Sequence, residues 1–204
     1  MEILKKPTVL AFSLLLTFTS TQPTKVQQTA FASSYTMEYC AKYAEAITEL
    51  KNVYDANSYE TNLRLGWLCY MSKDYASSCT YYKTATDLLP MSIEAKLGYV
   101  LPLSALSKWD DVITVYKSIL KMDTYNSTVN YRLGLIYYNR KDYPSAKVYL
   151  DNAINTYPFD YDIVSLTAWN DVMLGKTEDA KTLFNKVLLI RPSDTTAINE
   201  LKNL

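Results

Sequence analysis

The most constraining feature of this chain is a 34-residue period. Tyr75, Trp109, Tyr143 and Thr177 lie 34 positions apart, and columns of similar residues follow them at fixed offsets. The residue seven positions later is large and apolar or aromatic, and the residue fifteen positions later is proline in three of the four copies. A period of about 20 to 50 residues is typical of stacked repeats, in which each unit buries its apolar face only against its neighbours.

One unit, residues 130–158, predicts two helices joined by a tight turn at residues 139–142. Apolar side chains at spacings of three and four place one face of the second helix against the rest of the unit. These side chains are Tyr143, Ala146, Leu150 and Ala153. Pro158 ends that helix, because proline lacks the N–H group that an interior helical position donates.

Two glycines inside the first helices indicate where helices approach each other closely. A glycine in a helix costs about 1 kcal/mol relative to alanine, so a packing reason is expected at each. Gly66 and Gly134 lie two periods apart. We expect them to face Ser78 and Ala146 on the second helices of their units.

These columns resemble those of the tetratricopeptide repeat family, over about residues 59–194. The residues that carry the resemblance are Leu65, Gly66, Ser78, Tyr82, Ala85 and Pro90 in one unit, Leu133, Gly134, Tyr137, Ala146, Leu150, Ala153 and Pro158 in another, and Ala180, Phe184 and Pro192 in the last. The resemblance implies an all-α fold, a right-handed α-solenoid of antiparallel helix pairs. Two units depart from the pattern. In the second, Gly98 comes two residues early and Pro102 falls inside a first helix; in the fourth, Ala168 replaces the glycine and Asp171 stands where an aromatic residue is usual.

The predicted organisation is a signal peptide and flexible leader at residues 1–32, followed by a single domain at 33–204. The domain begins with a half-repeat helix at 37–58 and closes with a capping helix at 195–204, for which Asp194 can serve as N-cap. Between these ends lie four repeats, at 59–92, 93–126, 127–160 and 161–194.

The N-terminus predicts export to the periplasm or the outside of the cell. Lys5 and Lys6 precede an apolar run from Val9 to Phe18, which is the layout of a secretory signal peptide. The run is shorter than the roughly 20 residues that a membrane-spanning helix needs. Two cleavage sites are open, one after Ala30-Phe31-Ala32 and one near Thr19-Ser20-Thr21; an uncleaved anchor is the alternative.

The composition argues against catalysis and against nucleic-acid binding. The chain has no histidine, 21 basic and 21 acidic residues and a net charge of zero. The lack of histidine excludes Ser-His and Cys-His catalytic arrangements and most zinc sites, and the lack of a basic cluster excludes the usual electrostatic footprint for nucleic acid. We expect no enzymatic activity, no metal and no cofactor.

Three cysteines allow at most one disulfide. Cys69 and Cys79 flank one helix-helix turn, and Cys40 and Cys69 are expected on adjacent helices, so either pair is possible. The alternative is three buried thiols that pack as small apolar residues.

In the tetratricopeptide repeat family the first helices line a concave groove, and the resemblance projects seven aromatic or basic residues into it. They are Arg64, Trp67, Tyr70, Tyr131, Arg132, Tyr138 and Trp169. Aromatic residues and arginine are enriched at binding hot spots, and the arginines would pair with acidic groups of the partner.

The predicted function is a non-catalytic scaffold or adaptor that binds a peptide segment of an envelope or secreted protein in this groove. Two alternatives stay open. One is a glycan- or cell-wall-binding module, in which exposed tryptophan and tyrosine rings stack on sugars. The other is a self-associating structural component, because the sequence leaves the oligomeric state undetermined.

Overall fold

The structure, a computed structural model, describes residues 23–204, and this part of the chain forms eleven α-helices and no β-strand. The helices are α1 Lys25–Tyr39, α2 Tyr43–Lys51, α3 Tyr59–Met71, α4 Tyr75–Leu88, α5 Ile93–Ala105, α6 Trp109–Leu120, α7 Ser127–Asn139, α8 Tyr143–Thr156, α9 Tyr161–Met173, α10 Thr177–Ile190 and α11 Thr195–Asn203. Each helix packs against the next along the chain, and α3 and α7 also contact α5 and α9, the next first helices in sequence. The predicted all-α solenoid of helix pairs is confirmed.

Polar caps begin the first helix of every repeat. The helices α3, α5, α7 and α9 start 34 residues apart, and in each the residue before the helix accepts a hydrogen bond from the N–H group three positions on. The capping residues are Ser58, Ser92, Asn126 and Asp160. Asp194 caps α11 in the same way, through the Ala197 N–H. These caps satisfy donors that a helix end otherwise leaves unpaired.

The turn inside each repeat contains one residue with a positive φ angle. These residues again lie 34 apart and are Lys73, Ser107, Lys141 and Gly175, with φ of 64°, 57°, 62° and 70°. Only the last is glycine, so three units place a side chain in a left-handed conformation that costs roughly 1–2 kcal/mol. The turn geometry therefore follows from the stacking of the helices rather than from the residue at this position.

Close helix contacts occur at the predicted glycines. The Ser78 hydroxyl donates to the Gly66 carbonyl oxygen at 2.7 Å. A methyl group added at Gly134 would lie 2.6 Å from Leu150 Cδ2 and 3.6 Å from the Ala146 carbonyl oxygen. Both predicted approaches are confirmed.

The early glycine of the second repeat has a packing role of its own. Tyr82 is 3% exposed, and its ring lies against Gly66 of α3 on one side and Gly98 of α5 on the other. Gly98 thus makes room for the aromatic residue of the preceding repeat. In the same helix Pro102 is buried, and α5 continues through it from Ile93 to Ala105.

The N-terminal part of the domain differs from the sequence prediction. Residues 25–32, predicted to belong to a flexible leader, form the first half of α1, and α1 with α2 makes a complete helix pair where a half-repeat helix was predicted. Thr24 and Gln27 form a reciprocal capping box at the start of α1. The apolar pattern of α1 is weak, since only Ala30 and Ser34 are buried, and this explains why periodicity does not reveal it.

The basic and apolar segments that predict the signal peptide, from Lys5 to Phe18, fall outside the described residues. Across residues 23–204, none of the helices combines the length and the apolar character that crossing a membrane requires.

Candidate binding groove

Two clefts lie along the first helices of the stack. The N-terminal cleft, between α1, α3 and α5, has a volume of about 500 Å³. Its lining includes Phe31, Tyr35, Tyr59, Arg64, Trp67 and Glu94. The C-terminal cleft, between α7 and α9, has a volume of about 560 Å³. Its lining includes Asp123, Tyr125, Tyr131, Arg132, Asp160 and Asp162.

The two clefts occupy equivalent places in the repeat. Arg64 and Arg132 are 68 residues apart, two periods, and so are Glu94 and Asp162. Each cleft therefore combines an arginine from one first helix with a carboxylate from the next. This is a consequence of the 34-residue period, which returns the same helical position to the same face of the stack.

Arg64 lines the N-terminal cleft but is largely buried there. Its side chain is only 7% exposed, because α1 covers it. Its Nη1 pairs with Glu38 Oε2 at 2.5 Å, and its Nε donates to the Ser34 hydroxyl at 3.2 Å. The guanidinium carbon lies 3.8 Å from the centroid of the Tyr35 ring, which is a cation–π contact.

One nitrogen of this guanidinium, Arg64 Nη2, is buried and has no hydrogen-bond partner. A buried donor without a partner costs about 1–3 kcal/mol, and such groups are rare in folded proteins. Arg64 lines the N-terminal cleft, but this nitrogen itself is not solvent-accessible.

Trp67 shares the carboxylate of Glu38 with Arg64. Its indole Nε1 donates to Glu38 Oε1 at 2.5 Å, and its ring is half-buried. Beyond it, the aromatic rings continue along the unit, with ring centroids of Trp67 and Tyr70 at 5.9 Å and of Tyr70 and Tyr75 at 5.7 Å. Glu38, which the sequence interpretation did not single out, is thus the residue that orients the two predicted groove residues.

The predicted residues of the third and fourth repeats lie in two settings. Tyr131 and Arg132 line the C-terminal cleft, and Arg132 is exposed, with its guanidinium carbon 5.9 Å from the Tyr131 ring centroid. Tyr138 packs edge-on against Tyr143 at 5.6 Å. Trp169 is half-buried against Phe184 of α10, at 5.3 Å. Neither cleft includes Tyr70, Tyr138 or Trp169 in its lining.

A tyrosine bridges neighbouring repeats beside the N-terminal cleft. The Tyr59 hydroxyl lies 2.8 Å from the Ser92 hydroxyl and donates to Glu94 Oε2 at 3.0 Å. Burial raises the pKa of Tyr59, so the hydroxyl stays protonated and can donate. Three periods later the Tyr161 hydroxyl donates to Asp194 Oδ2 at 2.6 Å. Asp194 holds the position in the repeat that Ser92 holds beside Tyr59.

The three cysteines are free thiols, so neither Cys69 with Cys79 nor Cys40 with Cys69 is bridged in the structure. Cys69 is buried and Cys79 half-buried, whereas Cys40 is exposed. Burial, with a smaller contribution from Asp74, raises the pKa of Cys69 to about 11. The described residues contain no cluster of three or more histidine, cysteine or acidic side chains that could hold a metal ion.

Comparison with known proteins agrees with this repeat geometry. Residues 129–160 match the family model of the tetratricopeptide repeat, and they span the third unit from near the start of α7 to the turn before α9. The fold is a tetratricopeptide-repeat solenoid. No curated protein sequence matches the chain.

Several solved structures share this solenoid. A tetratricopeptide repeat protein from Parabacteroides merdae superposes with a TM-score of 0.74 at 15% identity, over 88% of this chain and 72% of the other. MamA from Desulfovibrio magneticus RS-1 superposes with a TM-score of 0.69 at 17% identity, over 85% of this chain and 99% of the other. A MamA RS-1 double mutant gives a TM-score of 0.73 at 16% identity, over 85% and 99%. At these identities the likeness shows the fold alone.

Proposed function

We propose that this protein is a non-catalytic scaffold that binds a segment of a partner protein along its first helices. The observation that carries the proposal is the pair of equivalent clefts, two repeats apart on the same face of the stack. Each has the volume of a small-ligand or side-chain site. A peptide segment that crosses the face can place anchoring side chains in both, as other groove-binding segments do.

We further propose that the partner is an envelope or secreted protein, because the chain begins with the layout of a signal peptide. The position of α1 favours cleavage near Thr19-Ser20-Thr21. Cleavage after Ala32 would remove residues 25–32, including the buried Ala30, and would leave the rest of α1 without its cap. Cleavage near residue 20 leaves α1 whole.

The cleavage proposal is tested by N-terminal sequencing of the exported protein and by two deletions. A chain that lacks residues 1–21 is expected to unfold at the same temperature as the exported protein. A chain that lacks residues 1–32 is expected to unfold several degrees lower, since about 1 kcal/mol corresponds to about 2–4 °C in a domain of this size. A mature N-terminus at residue 33, with no loss of thermal stability, would contradict the proposal.

The binding proposal is tested by photocrosslinking in the cells that produce the protein. A photoreactive amino acid replaces Leu63, which lines the N-terminal cleft and is half-buried. The matched control carries it at Val148, which is 60% exposed on the second helix α8. We expect a discrete protein adduct from position 63 that is absent from position 148.

The other outcomes point to the alternatives. Glycan fragments as the only adduct from position 63 would favour the wall-binding function. Adducts of the protein with itself from both positions would favour a self-associating component, and no adduct from position 63 would refute binding along this face.

A further inference from the structure

We propose that the N-terminal cleft recognises a basic side chain, arginine or lysine, on the partner segment. This inference rests on the proposed function, because it assigns chemistry to one of the two clefts. It also reverses the electrostatic expectation from the sequence, in which Arg64 and Arg132 attract acidic groups. The reversal follows from how the charges of the cleft are paired.

The positive charge in the cleft is already neutralised. Arg64 is the basic residue in its lining, and Glu38 of α1 holds its guanidinium in a salt bridge. Ser34 and the Tyr35 ring occupy a further nitrogen and one face of the guanidinium. Arg64 therefore offers little attraction to an acidic partner.

The negative charges at the rim have no basic partner. Glu60 and Glu94 both line the cleft and are exposed, and in residues 23–204 neither forms a salt bridge. Their hydrogen bonds come from hydroxyl groups, Ser58 to Glu60 at 3.1 Å and Tyr59 to Glu94 at 3.0 Å. With Arg64 balanced by Glu38, the cleft has a net negative charge.

The walls between these carboxylates are aromatic. Phe31, Tyr35, Tyr59 and Trp67 line the cleft, and the faces of aromatic rings attract cations by about 0.5–2 kcal/mol, depending on desolvation. Tyr35 already covers one guanidinium in the folded chain. A cavity with aromatic walls and unpaired carboxylates at its rim is complementary to the aliphatic stem and charged end of arginine or lysine.

Arg64 Nη2 is an unsatisfied donor beside this cleft: it belongs to a side chain that is more than nine-tenths buried, and it has no acceptor among the described residues. The atom itself is not solvent-accessible, so a main-chain carbonyl of a bound segment reaches it only through a shift of the side chains that cover it.

First-turn acidic residues also stabilise a helix N-terminus through the helix dipole, and Glu60 and Glu94 hold that position in α3 and α5. Asp162 holds it in α9, but there the cleft contains the exposed Arg132 as well. Helix stabilisation therefore explains why acids occur at this position in both clefts. The N-terminal cleft differs in that its arginine is already paired within the chain, whereas the C-terminal cleft, which Asp123 and Asp160 also line, keeps Arg132 exposed.

The test selects peptides from a random 12-residue phage library against the folded protein. We expect selected peptides enriched in arginine and lysine, and weaker in binding at high salt because exposed charges are screened. In the variant Glu60→Gln/Glu94→Gln their Kd is expected to rise by about three- to tenfold, as two exposed charge pairs allow. Glutamine keeps an acceptor for the Ser58 and Tyr59 hydroxyls, so the fold is preserved.

The matched control is Glu45→Gln, an exposed carboxylate on α2 that lines neither cleft, and it is expected to leave the Kd of these peptides unchanged. Crosslinking of a selected peptide from position 63 places it in the N-terminal cleft. Selected peptides that are acidic or uncharged, or that bind the double variant as tightly as the wild type, would overturn this inference while leaving the scaffold function standing. A library from which no peptide is selected would instead count against the scaffold function.

Discussion

Replacing Gly98 with alanine is expected to destabilise this protein, although alanine is the better helix former. In a helix interior the change alone would stabilise by about 1 kcal/mol. At Gly98, however, the new methyl carbon would lie 2.7 Å from Tyr82 Cζ and 2.8 Å from Cδ1. Normal carbon–carbon contacts are about 3.5–4.0 Å, so the ring would have to move by roughly 1 Å.

The ring of Tyr82 has no room for that movement. On its other side a methyl group at Gly66 would also lie 2.8 Å from the ring, and the side chain is 3% exposed. Overpacking in a tight core costs about 1–3 kcal/mol, which outweighs the gain in helix propensity or just balances it. We expect a net loss of up to about 2 kcal/mol in the free energy of unfolding, measured by urea denaturation followed by circular dichroism.

A double-mutant cycle isolates the contact. In a Tyr82→Leu background the ring is gone, so Gly98→Ala should recover its intrinsic effect and stabilise by up to about 1 kcal/mol. The coupling between the two positions would then equal the overpacking cost, about 1–3 kcal/mol. If Gly98→Ala stabilises equally in both backgrounds, the packing of Tyr82 between α3 and α5 is wrong.

Three further predictions test the core, a helix cap and the thiols. Gly134→Leu should lower the free energy of unfolding by about 1–3 kcal/mol or more through overpacking, and unchanged thermal unfolding would contradict the α7–α8 contact. Asp194→Ala should lower the free energy of unfolding by about 0.5–2 kcal/mol by removing the cap of α11, and hydrogen exchange in α11 should become faster. The Tyr161 hydroxyl and the Ala197 N–H hold the pKa of Asp194 below its usual value. The contribution of the cap is therefore present at neutral pH and disappears as the pH falls through that lowered pKa. At pH 8 a thiol reagent should label the exposed Cys40 readily, but Cys69 only after unfolding. The reason is that burial raises the pKa of the Cys69 thiol to about 11. A native protein in which no cysteine reacts would instead indicate a disulfide.

The repeat region illustrates what periodicity can predict. A helical position that recurs every 34 residues meets the same neighbours in every unit, so the sequence pattern carries the contact pattern with it. The close approaches at Gly66 and Gly134 and the cap at Asp194 follow from this. Gly98 does not occupy the glycine column of its own unit, and its role became clear only when Tyr82 of the preceding repeat was placed against it.

The N-terminal helix illustrates the opposite case. The helix α1 buries small residues, Ala30 and Ser34, and carries no strong apolar stripe. Its sequence therefore resembles that of a polar leader. Its contribution comes from what it covers, because Glu38 engages both Arg64 and Trp67.

The amino-acid sequence alone specifies the class of fold and the number of central repeats, because these depend on local periodicity. Which helices face the groove comes instead from the resemblance to the tetratricopeptide repeat family. The charge available in the groove depends instead on long-range pairing. Arg64 and Arg132 hold the same slot in the repeat, yet one is buried against a carboxylate 26 residues upstream and the other is exposed. Coulomb interactions act between side chains that the fold brings together, whatever their separation along the chain, so the electrostatic character of the N-terminal cleft emerges only once the side chains of α1 are packed against α3.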